Sequence, residues 1–76
     1  MMKISPTEYQ VQVTIFEMAG CVYVRTRGDH LIYHHPEAVR PVIIPKYREV
    51  PAFVIKNNMR IIGMSREKYL ELLQKI

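Results

Sequence analysis

The stretch CVYVRTRGDHLIYHH, residues 21–35, decides how this chain folds. Its first part, CVYVRT, is rich in β-branched and aromatic residues, RGD supplies turn chemistry, and HLIYHH is a second extended run. The two runs therefore pair as a hairpin. The same stretch sets the functional question, because it places His30 directly after Gly28 and Asp29, with Arg25 and Arg27 before it and His34 and His35 behind. Three answers compete: a metal site, a catalytic imidazole, or a hairpin whose polar residues face water.

On the C-terminal side, PEAVRP (36–41) reads as a loop bracketed by prolines and VIIP (42–45) as a short third strand closed by Pro45. Short connections make the three strands antiparallel neighbours. On the N-terminal side, Ser5 as N-cap, Pro6 at the first helical position and Glu8 at the third form a capping box. A helix is expected over 6–19, with Val11, Ile15, Met18 and Ala19 as its apolar stripe and Gly20 as its stop. Beyond KYREV, Pro51 opens a second helix in which Ile55, Met59 and Ile62 face one way and Lys56, Asn57 and Arg60 are turned elsewhere, up to Gly63. Ser65 caps a last helix carrying Tyr69, Leu72, Leu73 and Ile76 at helical spacing. Helix, three strands, then two helices is the pattern of an α+β domain occupying residues 1–76, with the helices on one sheet face and the other face open.

A chain of 76 residues buries only about 60 to 65% of the surface its unfolded form exposes. The core is small, and walls for a pocket of several hundred Å³ are scarce, which favours chemistry on a polymer lying across an open surface. The single cysteine, Cys21, sits in an apolar run and reads as a small buried hydrophobe; neither a disulfide framework nor a thiolate zinc site can be built. With no leader and no long apolar run, a soluble protein of the reducing cytoplasm, without membrane association, is expected. Eleven Lys and Arg against seven Asp and Glu give a net charge of +4, which points to a polyanion, either nucleic acid or an acidic protein.

Strand geometry argues against the metal reading. His30 and His34 share a face but lie about 13 Å apart at ~3.3 Å per residue, too far for one ion bound at about 2 Å, and His35 points to the other face. His34 and His35, beside Pro36 at a strand end, read as solvated polar residues. A catalytic His30 needs only one imidazole plus cations. Cleaving RNA requires a base for the 2′-hydroxyl proton, an acid for the leaving 5′-oxygen and positive charge near the phosphate. Imidazole suits the proton steps because its reference pKa of about 6.5 keeps both forms available near neutrality. Arg25, Arg27, Arg40, Lys46 and Arg48 come from the hairpin and from either side of strand three, where they could hold a phosphodiester backbone. Asp29, as a strand neighbour of His30, is expected to point to the opposite face. Taken by itself, a lone strand histidine is more often a solvated or core-satisfied residue than a catalytic one.

These segments together, a helix ending in Ala19-Gly20, then CVYVRTRGDH, RPVIIP and EVPAFVIKNNMRIIGMSREKYLELL, resemble the HicA family of bacterial and archaeal toxins over residues 6–73. The most specific parts are the Gly-x-His turn at 28–30 and the apolar helix followed by Ile62-Gly63-x-Ser65. The resemblance implies a double-stranded-RNA-binding-domain-like fold and a ribonuclease that cuts messenger RNA independently of the ribosome, arrests growth, and is silenced by a HicB antitoxin. It also implies that the histidine of the turn, here His30, is the essential residue, with Gly28 and Asp29 positioning it. No cofactor is implied, and the chain lacks a carboxylate cluster suited to magnesium, so activity is expected to survive chelation.

Two departures from the family pattern stand out. Gly-Ser-His is common there, whereas this chain has Gly28-Asp29-His30, so the hydroxyl before the histidine is missing. The start of the second helix is basic or glycine-containing in many members, whereas PAFVIKNN is apolar, a surface able to change RNA affinity or favour self-association. A non-catalytic RNA-binding module and an adaptor for an acidic protein use the same fold. Only the ribonuclease needs the imidazole of His30.

Overall fold

The hairpin forms where the alternation placed it. In the computed structural model, which describes residues 3–76, β1 (Val22–Arg27) and β2 (His30–His34) pair antiparallel, and β3 (Val42–Pro45) adds to the other side of β2 in the order β1-β2-β3. Gly28 opens the two-residue turn at φ 62° while, among the described residues, no other residue type adopts a positive φ, the signature of a type II′ hairpin with glycine first. Nothing lies within 4 Å of where a Gly28 Cβ would sit, so backbone conformation alone asks for glycine there.

Register sorts the sheet into two faces. Leu31 pairs with Ile44 and Tyr33 with Val42, and all four side chains are buried against the helices. The intervening pairs, Ile32 with Ile43 and His30 with Pro45, take the opposite face. On the other side of β2, Arg27 pairs with His30 and Arg25 with Ile32, so both arginines share the face of His30. An irregularity between Tyr23 and Arg25 restores Tyr23 to the core side, where its ring meets Tyr33 edge-on at 5.7 Å and its hydroxyl bonds Thr26 at 2.7 Å.

The helices supply the rest of the core. α1 (Tyr9–Met18), α2 (Ala52–Ile62) and α3 (Arg66–Gln74) complete the predicted element order, with helices against one sheet face. Phe16, Ile15, Ile55 and Tyr69 are fully enclosed. Ser65 caps α3 as expected, its Oγ accepting the Lys68 N–H at 3.1 Å.

α1 departs from expectation at its start. The capping box of Ser5 and Glu8 is not used; the helix begins at Tyr9, with Glu8 at the N-cap and no side-chain cap. The preceding residues instead run extended. Thr7 bridges Val50, the Tyr9 N–H donates to the Tyr47 carbonyl at 3.1 Å, and Ile4 is buried. Main-chain pairing to residues 47–50 satisfies the groups that a cap would have served, so tertiary contact overrides the local signal. The stripe is rotated too, since Gln12, Ile15 and Phe16 are buried while Met18 is exposed. Gln12 tolerates burial because its Nε2 donates to the Tyr69 hydroxyl and to Thr7 Oγ1, both at 2.8 Å. α3 likewise stops before Ile76, which is exposed.

Candidate active site

His30 starts β2 at the end of the turn, with its side chain 48% exposed. Its Nδ1 lies 3.3 Å from Asp29 Oδ1, contrary to the expectation that the two point apart. Asp29 belongs to the turn and not to the strand, so the alternation of a strand does not govern it. A carboxylate at Nδ1 favours the tautomer with its proton there and leaves Nε2 to act on a substrate. The Lys46 N–H donates to the Asp29 carbonyl at 2.8 Å, which ties the chain leaving β3 to this turn.

Beside His30 the open sheet face descends into a groove of about 810 Å³. Its origin is the way α2 closes the edge of β3. The Asn58 side chain donates from Nδ2 to the Ile43 carbonyl at 2.9 Å, and its Oδ1 accepts the Ile43 N–H at 3.4 Å, so a helix amide stands in for a neighbouring strand. With Ile55 and Met59 buried on one flank, the other flank of α2 rises beside the sheet. The groove therefore runs between Ile43 and Pro45 below and a helical wall carrying Phe53, Lys56, Asn57 and Arg60. A chain this short does form a sizeable recess, but an open one shared by two elements.

The predicted cations are distributed around His30. Arg40 lines the groove with it; Arg25 and Arg27 lie across β2 from the groove on the same sheet face; Lys46 adjoins the turn; Arg48 is exposed outside the groove lining. Lys56 and Arg60, turned away from the core as the sequence predicts, line the groove as well. Their spacing with Phe53 and Asn57, at i, i+3, i+4 and i+7, marks a second stripe that the sequence already carried. Among the described residues, no carboxylate lines this groove and neither Lys56, Arg60 nor Arg40 is ion-paired.

The remaining histidines separate. His34 is exposed. His35, expected to be solvated, is half-buried: the Glu37 N–H donates to its Nδ1 at 3.1 Å, which leaves Nε2 as the donor to the Ala19 carbonyl, also at 3.1 Å. It fastens the end of β2 to the end of α1. Cys21 is buried and its thiol is pushed up by that burial, which makes it a poor nucleophile. No group of three or more His, Cys, Asp or Glu side chains able to hold a metal ion occurs among the described residues, and no helix there is long and apolar enough to cross a membrane.

No curated protein matches the chain. The family model described as the HicA toxin of bacterial toxin-antitoxin matches residues 12–64, a span that includes the hairpin, His30, β3 and all of α2. That span is well over half of the chain, and with the helix, three-stranded sheet and two helices in the expected order, the chain belongs to the HicA toxin family.

Proposed function

We infer that this chain is an endoribonuclease toxin that cuts messenger RNA with His30 as its proton-transferring residue and is neutralised by a HicB-type antitoxin. The observation that carries the reading is the placement of an exposed imidazole, with Asp29 at Nδ1, at the mouth of a groove whose charged lining is cationic. In this reading Nε2 of His30 removes the proton from a 2′-hydroxyl, the 2′-oxygen forms a bond to the adjacent phosphorus, and the bond to the 5′-oxygen breaks. The products are a 2′,3′-cyclic phosphate and a 5′-hydroxyl, the latter taking its proton from the imidazolium or from water. Arg40, together with Arg27 across the strand, offers positive charge to the phosphate as it gains negative charge. The steps assign no role to a metal, and cleavage in excess chelator is the expected result.

The decisive test is His30→Ala. Loss of a positioned acid or base lowers cleavage by about 10²- to 10⁴-fold. The fold persists, because substitutions at an exposed position shift stability by no more than about 0.5 kcal/mol. The variant is expected to be harmless on expression, to bind RNA and to be bound by the antitoxin. His34→Ala is the control and keeps most activity. Wild-type cleavage by a folded His30→Ala protein would remove His30 from the chemistry and assign the proton transfer to another group, whereas a wild-type protein that binds RNA without cutting it would leave the non-catalytic RNA-binding module as the better account.

A further inference from the structure

The groove beside His30 holds more than cations. Phe53 is 74% exposed and Tyr47 43% exposed, and both rings line it. A phenylalanine so open on the first turn of a helix contributes little to the core. It sits on the same stripe as Lys56, Asn57 and Arg60, so one ring and two positive charges share the helical wall, and Tyr47 adds a second ring from the segment before α2. We propose that this groove is a seat for single-stranded RNA, in which unpaired bases stack on Phe53 and Tyr47 while Lys56, Arg60 and Arg40 hold the phosphates and guide the strand to His30. The choice of RNA as occupant rests on the ribonuclease reading.

Single-stranded binding sites combine a cationic track with aromatic platforms, because every base has a face to stack whatever its identity. Lys56 and Arg60 are separated by about 6 Å of helix rise, close to the step between neighbouring phosphates of an extended strand. A duplex would use the charges but not the rings, since its bases are already stacked on one another. Attack by a 2′-hydroxyl in line with the leaving oxygen also needs a backbone freer than that of an A-form helix. A protein partner fits less well. Interface cores are depleted of lysine, whereas Lys56 stands between the aromatic ring and Arg60 on the groove wall itself. Asn57, whose amide both donates and accepts, is placed to meet a base edge.

The test is binding, separated from cleavage by using a short 2′-O-methyl oligonucleotide, which has no free 2′-hydroxyl to attack. Fluorescence anisotropy with the wild-type protein is expected to show the single strand bound at least about tenfold more tightly than a hairpin of the same bases, since only the former offers unpaired bases to the rings. Phe53→Ala and Tyr47→Ala should each weaken single-strand binding by roughly 5- to 150-fold, the range of one lost base stack, and leave hairpin binding unchanged. Phe53→Tyr, which keeps a ring, should retain affinity, and an unchanged melting temperature verifies folding. Equal affinity for strand and hairpin, or ring variants that bind the single strand as the wild type does, would overturn the proposal. So would ring variants that lose only the HicB-type antitoxin, which would make the groove a protein seat. A wild-type protein that binds as expected but cuts no natural RNA overturns the ribonuclease reading alone. One that cuts RNA without dependence on the rings overturns the groove alone.

Discussion

The two edges of the sheet are finished in opposite ways. At β3, α2 closes the edge: Asn58 takes both main-chain groups of Ile43, and the helix flank beyond it becomes the wall of the groove. At β1, nothing among the described residues covers the strand, and all six of its residues are exposed. That edge is protected differently, by the irregularity after Tyr23 and by Arg25 and Arg27, devices that discourage another strand from pairing. One edge obtains a binding recess because it is closed by a helix; the other remains a strip of charge because it is not. His30 lies on the strand between them, within reach of both.

Breaking the closed edge should have the largest effect on stability. Asn58→Ala leaves the Ile43 carbonyl and N–H without their partners beneath α2, at about 1–3 kcal/mol for an unsatisfied buried group. A loss of about 2 kcal/mol corresponds to a fall of roughly 8–16 °C in melting temperature for a domain of this size. Asn58→Asp tests the reason, since a carboxylate keeps the acceptor but cannot donate to the carbonyl. It should be destabilised at least as much. An Asn58→Ala protein that melts with the wild type would mean that apolar packing alone holds α2 to β3.

The open edge was legible in the amino-acid sequence and the closed one was not. Alternation, the Gly28 turn and β-branched residues are local signals, and they delimited β1, β2 and β3 closely. Gly20, Gly63 and Ser65 likewise act on their own neighbours, and the helix ends they mark were found. Asn58 and Gln12 carry no local sign of burial, because a polar side chain declares its burial only when its partner, 15 residues away on β3 or 57 away on α3, is known. The start of α1 failed for the same reason, Thr7 being claimed by Val50. For the candidate site, His30 and its flanking cations were legible. The contributions of Lys56, Arg60, Phe53 and Tyr47 were hidden, because the groove exists only where α2 meets the sheet.

Between the two edges stands Tyr33, which joins the hairpin to the core. Its hydroxyl donates to Glu17 on α1 at 2.9 Å and its ring carries Tyr23 of β1. Burial first, and then the Glu17 carboxylate, push its hydroxyl from 10.0 up to about 12. The folded form thus favours the neutral phenol. The stability it contributes is complete below the unfolded value and is lost as pH rises through the folded one. About 1 kcal/mol should be gone by roughly pH 11. Tyr33→Phe removes this component, so the difference between the two proteins' alkaline melting curves isolates it; parallel curves would show that neither burial nor the Glu17 contact shifts this hydroxyl in solution.

The smallest effect on stability is expected at the open edge. Arg25→Thr and Arg27→Thr replace exposed edge arginines with a residue that suits a strand, so stability should change by no more than about 0.5 kcal/mol. RNA affinity should respond differently. If these arginines extend the cationic face beyond His30, each loss releases one phosphate contact and reduces the slope of log affinity against log salt by about 0.7 for a single strand. The weakening should be uniform across sequences, because phosphate contacts carry no base identity. An unchanged slope would confine the RNA track to the groove side of His30. A large fall in melting temperature would show instead that β1 contributes to the fold through more than its pairing with β2.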